Sequence, residues 1–173
     1  LPPAFTAWET VVLGRTPYLN FLGQVSTRDE EIVRSAMQVT DTLELAERRV
    51  GELSGGEQQR LMLARALAQQ SPILLLDEPV THLDLHYQLG LLDQIKDLVS
   101  EQKFSVIAVL HDLNMAARYA NQVALLVKGE IKALGNPEEV LTPAILSEAF
   151  DLPLEVLQNG KSGRPFITPA ILM

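Results

Sequence analysis

Helical spacing of apolar residues runs through Ile32, Val33, Ala36 and Met37, and through Leu61, Ala64, Leu67 and Ala68. It returns in Leu85, Leu89, Leu92, Ile95 and Val99, and each set predicts an amphipathic helix with one buried face. The unbroken apolar run Ile73 to Leu76 instead predicts a buried parallel strand, and Phe104 to Leu110 another buried strand beside it. Gln122 to Lys128 and Glu130 to Ala133 predict a hairpin around Lys128-Gly129. Leu154 to Leu157 and Pro165 to Thr168 predict terminal strands.

The polar punctuation sets the boundaries. Thr6 to Glu9 is a capping box opening a helix to Val12 or Leu13, which Gly14 to Pro17 ends. Tyr18 to Gly23 follows as a loop, with Gln24 a solvated side chain. Thr27 to Glu30 predicts a second box, for a helix to about Val39, and a short helix follows at Thr42 to Leu45. Ser54 or a glycine after it caps a helix over about Gly56 to Gln69, which Ser71-Pro72 stops. Asp84 starts a helix to about Ser100, and Asp112 one toward Tyr119. Asn136-Pro137 and Thr142-Pro143 open two short helices with proline at the first turn.

Two of these junctions carry chemistry. Gly55 and Gly56 leave backbone N–H groups open to an anion at a helix start. Asp77-Glu78-Pro79 puts two carboxylates at the C-terminal tip of a strand, where ligands of open α/β sheets bind. An N–H cradle and a paired acid suggest phosphoryl chemistry with a divalent metal. One carboxylate can hold hydrated Mg²⁺ while its neighbour orients and deprotonates water. The bland alternative is a solvated Asp-Glu-Pro turn. His111 after an apolar strand is ordinarily a partly buried histidine, but with the two strands side by side both tips reach one pocket. His82 and His86, four apart, mimic a metal pair without a third ligand nearby. Gly160-Lys161-Ser162 fails as a phosphate-binding loop because Glu155 stands where that motif needs glycine.

Composition narrows the picture. The chain has 173 residues, 47% of them hydrophobic, which suits one globular domain with a sizeable core. A net charge of −8 argues against a nucleic-acid-binding surface. With no cysteine there is neither a disulfide nor a thiolate metal site. The longest apolar runs are far too short to span a bilayer, so membrane association has to come through a partner.

Leu53 to Arg60, Ile73 to Pro79, Thr81-His82-Leu83-Asp84 and the isolated His111, in that order and spacing, resemble the ATP-binding subunits of ABC transporters. The resemblance implies part of a P-loop NTPase-like ABC ATPase fold, with ATP and Mg²⁺ as cofactors. It makes Asp77 the Mg²⁺ carboxylate, through water, and Glu78 the catalytic base. His111 becomes the switch histidine on the γ-phosphate. Asp84 becomes the D-loop aspartate that communicates between two ATP sites, which disfavours metal ligation by His82 and His86. Ser54, Gly55, Gly56 and Glu57 form the signature that faces ATP bound to a second subunit, so hydrolysis requires a homodimer. Val80 departs from the family's usual threonine but keeps its shape.

Family layout divides the chain into a permease-facing helical subdomain at 1–50, a nucleotide-motif segment at 51–135 and a tail at 136–173. Trp8, Tyr18 and Phe21 become candidate permease contacts; Arg48-Arg49 reads as a solvated face, as short charge runs usually do. The loop at Arg15 to Pro17, the Thr81 to Gln88 run and Gly135 to Leu141 resemble ATPases of type II importers for iron–siderophore, haem or cobalamin. Such a subunit sits on the cytoplasmic face of the membrane beside its permease, and serves a substrate-binding protein indirectly. The alternatives are an ATPase of another ABC transporter, a soluble repair or translation ABC ATPase, and a binding module without turnover. The family's P-loop, adenine-stacking aromatic and Q-loop glutamine precede the matched motifs, so this stretch reads as a fragment. The 173 residues alone are expected to release no phosphate from ATP, and rejoining the upstream part to restore Mg²⁺-dependent release. Robust turnover by the isolated stretch would contradict these roles.

Overall fold

A computed structural model describes residues 3–81, 83–102, 104–158 and 163–170. His82 and Gly160-Lys161-Ser162 lie outside the described residues. The chain divides into two compact units, Leu1–Val109 and Leu110–Met173.

The first unit is built around three helices: α1 (Ala7–Val12), α2 (Thr27–Val39) and α3 (Gly55–Ala68). The box at Thr6 forms as expected: its hydroxyl accepts from the Glu9 N–H at 3.1 Å and its N–H donates back to Glu9 at 2.8 Å. The second box sits one residue earlier than the sequence suggests. Ser26 is the N-cap, and Asp29, not Glu30, returns the bond to its N–H. Asp29 wins because its carboxylate serves two partners, Ser26 on one side and Arg15 on the other. Val11, Val33, Met37, Val50, Leu61 and Ala64 close a common core, so residues 1–50 share their apolar interior with α3. Small residues on the buried face of α3 admit close neighbours. A Cβ at Gly14 would collide with the Arg65 carbonyl, so the 3-10 turn Leu13–Tyr18 lies backbone-on-backbone against that helix.

After α3 comes β1 (Ile73–Asp77), then α4 (Leu85–Gln102) and β2 (Ser105–Val109). β1 and β2 pair in parallel, from Ile73 opposite Ser105 to Asp77 opposite Val109. Their expected burial on both faces is not what the structure has. Leu74 is buried, but Ile73, Leu75, Ile107 and Val109 stand exposed. Side chains alternate across a strand, and the face carrying these four is uncovered among the described residues. In α4 the buried stripe is Leu91, Leu92, Ile95 and Leu98, whereas Leu85 is exposed. The first turn of α4 therefore lies outside the apolar stripe that the spacing predicts.

The second unit holds α5 (Leu113–Tyr119), a hairpin of β3 (Val123–Val127) and β4 (Glu130–Gly135), α6 (Pro137–Val140), α7 (Pro143–Phe150), and the antiparallel pair β5 (Leu154–Gln158) and β6 (Pro165–Pro169). Lys128 and Gly129 both have positive φ, as a tight hairpin turn requires. Val140, Leu141, Leu146 and Ile167 form its core. The Asn114 amide bonds both backbone groups of Ile167, which ties β6 to α5.

The buried Arg15–Asp29 pair makes the first unit sensitive to acid. The Ser26 hydroxyl, then Arg15, hold the Asp29 carboxyl down to about 2 from an ordinary 3.8. A depressed carboxylate contributes stability above its unfolded value and loses it as pH falls through the folded one. The stability gap between the native protein and Asp29→Asn should be full above about pH 5 and close toward about pH 2. Urea unfolding at stepped pH measures it; a gap independent of pH would refute the ion-pair account.

Candidate phosphate-facing site

Ser54 begins α3 in extended backbone, and a reciprocal box locks that start. The Glu57 carboxylate accepts from the Ser54 N–H at 2.7 Å and from its hydroxyl at 2.8 Å. Those bonds to Ser54, backbone first, hold the Glu57 pKa below the usual range, with Arg48 and Arg60 adding to it. Arg48 reaches Glu57 at 3.4 Å and the Glu52 carbonyl at 2.7 Å, so it braces the helix start although half exposed. Glu57 thus shapes the N-terminus, and Ser54 and Gly55 are its exposed part. A Cβ on Gly55 would meet open space, while one on Gly56 would touch the Tyr87 ring at 3.4 Å. The open glycine flank and the helix N–H groups leave room for an anion to approach. A groove of about 750 Å³ adjoins Gly56, Arg60, Leu83 and Tyr87, and neither Asp77 nor Glu78 lines it.

Asp77 ends β1 and is exposed. Glu78 is half buried with φ +48°, a left-handed conformation that a side chain of this size seldom adopts. Such strain costs on the order of 1–3 kcal/mol and persists where the surroundings over-determine it. Here the Thr81 hydroxyl donates to the Glu78 carboxylate at 3.0 Å, and the Thr81 N–H donates to the Glu78 carbonyl at 3.2 Å. The turn thus closes on itself and fixes the carboxylate's direction. Asp84 is exposed and accepts from the Tyr87 N–H at 3.2 Å, so it caps α4. Gln88 donates to the carbonyls of Val80 and Leu83, at 3.3 and 3.0 Å, and holds that loop to α4.

Sequence reasoning did not single out Thr81, Gln88 or Arg48 for these supports. Thr81 three residues after Glu78 and Gln88 four after Asp84 were the available signals. Chain order puts His111 at the start of the second unit, exposed, two residues after Val109. Among the described residues no group of three or more His, Cys, Asp or Glu could cage a metal.

The family model for ABC transporters matches residues 1–81. The ferric enterobactin transport ATP-binding protein of Escherichia coli is 39% identical over 168 residues, 97% of this chain and 62% of that protein. The hemin import ATP-binding protein of Thermobifida fusca is 39% identical over 175 residues, covering 98% of this chain and 61% of its own length. A solved metal-chelate type ABC transporter in an inward-facing conformation aligns with a TM-score of 0.90 at 30% identity, over 99% of this chain and 68% of that one. The chain therefore belongs to the ATP-binding subunits of ABC transporters, and its mixed helix-and-sheet architecture is part of the ABC ATPase fold. It spans 62% and 61% of those two transport proteins.

The capping box predicts a modest, local penalty. Ser54→Ala should lower stability by about 1 kcal/mol, and Ser54→Asp by much less, because Asp also caps. Urea midpoints of both variants measure this; equal losses would mean that the cap does not hold α3 in place.

Proposed function

We propose that this chain is the ATP-hydrolysing subunit of an importer for iron–siderophore complexes, haem or cobalamin, acting as a homodimer beneath a membrane permease on the cytoplasmic face. The observation that carries the catalytic part is the junction after β1. There Asp77 lies exposed at the strand end, and Glu78 is strained, half buried and aimed by Thr81. The named relatives, which serve ferric enterobactin and hemin, support the cargo class. No helix among the described residues is long and apolar enough to cross a membrane, which is compatible with a separate permease.

In this reading Asp77 holds Mg²⁺ through water, and the ion when bound neutralises charge on the phosphate oxygens. Glu78 accepts the proton of the attacking water, with Thr81 fixing its orientation. His111 bonds the γ-phosphate, and Asp84 links the two sites of the dimer. The open N-terminus at Ser54, Gly55 and Gly56 donates N–H groups to the γ-phosphate held by the other subunit, while Glu57 keeps that N-terminus in shape.

The test uses the complete subunit. Glu78→Gln should abolish phosphate release yet retain ATP binding and accumulate an ATP-bound dimer on gel filtration, because the amide keeps the shape and loses basicity. Ser54→Arg should bind ATP but fail to dimerise with itself, because the added bulk then stands at both sites. An active Glu78→Gln protein would overturn the assignment. Phe21→Ser should also weaken co-purification with the permease while leaving nucleotide binding intact, and an equal loss of both would make that loop part of the fold alone.

A further inference from the structure

Helix α3 has its exposed glycines at one end and an unusual closure at the other. The last carbonyls of a helix have no partners within it. Here Arg15 Nη1 donates to the Ala68 carbonyl at 2.8 Å, and the Tyr18 hydroxyl donates to the Gln69 carbonyl at 2.8 Å. The same guanidinium stacks 4.0 Å above the Tyr18 ring, and its Nε donates to Asp29 at 2.9 Å. Arg15 is only 4% exposed. A buried cation thus sits at the negative end of α3, joined to the first turn of α2 and to the 3-10 turn Leu13–Tyr18.

The loop beyond Tyr18 is different in character. The Asn20 side chain accepts from the N–H groups of Leu22 and Gln24, at 3.1 and 3.0 Å, and donates to the Gln24 side chain. That closed turn displays Phe21, fully exposed, and Leu22, at 73%. Polar bonds fix the loop while its apolar tip points to solvent. Its base is fastened to α3 by the bonds from Arg15 and Tyr18. A single helix of fourteen residues, roughly 21 Å long, then leads to Ser54.

We propose that Arg15 and Tyr18 are positioning residues that carry a load applied at the Phe21–Leu22 tip to the C-terminal end of α3, and so set the placement of Ser54-Gly55-Gly56 at the partner's nucleotide. The proposal rests on the reading of this chain as a permease-coupled ATPase subunit. It separates roles that one loop would otherwise share. Phe21 and Leu22 meet the permease; Arg15, buried, and Tyr18, half exposed but bonded to Gln69, act through α3. The bond from Tyr18 to Gln69 is the narrowest link, because only one hydroxyl makes it. Arg15 joins three elements and cannot be replaced by lysine, whose single ammonium lacks the fork that reaches Asp29 and Ala68 together.

The experiment compares phosphate release by the complete subunit, free and reconstituted with its permease in lipid nanodiscs, for the native protein, Tyr18→Phe and Arg15→Lys. The quantity read is the ratio of permease-stimulated to permease-free rate, well below the melting temperature of each protein. Both variants should lower that ratio at least about fivefold, the size of a modest coupling between sites, with KM for ATP unmoved. A purely structural role would lower the melting temperature and leave the ratio alone, so an unchanged ratio in Tyr18→Phe overturns the proposal. Tyr18→Phe decides the matter by itself if Arg15→Lys does not fold. A native subunit that hydrolyses ATP but shows no permease stimulation overturns the clamp, and one that hydrolyses no ATP overturns the function reading with it.

Discussion

Everything in the first unit depends on how α3 is held. Its middle is anchored by apolar contact: Leu61, Ala64 and Ala68 are completely buried among Val11, Val33 and Met37. Its two ends are fixed by charge-assisted bonds. At the start the Glu57 carboxylate accepts the Ser54 N–H and hydroxyl; at the finish the Arg15 guanidinium takes the Ala68 carbonyl. Such bonds are shorter and stronger than neutral ones, and they leave little freedom for the helix to fray or slide. A helix so constrained can present glycine N–H groups at a fixed place, which is what recognition of a phosphate requires.

Much of this was legible in the sequence, for identifiable reasons. Capping boxes are local, so Thr6 with Glu9 and Ser54 with Glu57 can be read from spacing three apart. Parallel pairing of the two apolar runs follows from the helix between them, and the structure has it in register from Ile73 to Asp77. The box at Ser26 was misplaced by one residue because Thr27 and Glu30 satisfy the same local rule. The arbiter is Arg15, fourteen residues away, whose ion pair selects Asp29. Thr81 and Gln88 were missed although their partners are close in sequence. Both stand in the Thr81 to Gln88 run that carries the resemblance, but each matters here through the turn that brings it to a backbone or carboxylate partner.

Burial was the weakest inference. An unbroken apolar strand implies cover on both faces, yet Leu75 and Ile107 lie open among the described residues, and in α4 the stripe begins at Leu91 instead of Leu85. Hydrophobic pattern reports which side chains favour burial, while cover depends on neighbouring elements. The site behaves differently: Asp77, Glu78 and Asp84 sit at element ends, where backbone geometry is set locally. Glu78 shows the cost of that position in its left-handed backbone, held by Thr81. Local strain of that kind persists only where the surroundings over-determine it.

On the proposed reading, each ATP site is completed by Ser54-Gly55-Gly56 of one subunit and Glu78 of the other. Complementation between two inactive variants of the complete subunit tests it most directly. Ser54→Arg keeps its own Glu78, and Glu78→Gln keeps its own Ser54, so their mixed dimer contains one site in which both groups are native. Mixing them should restore phosphate release that neither variant shows alone. If mixed dimers form, verified by differential tagging, and no turnover appears, the groups do not meet across the subunit boundary and the account fails.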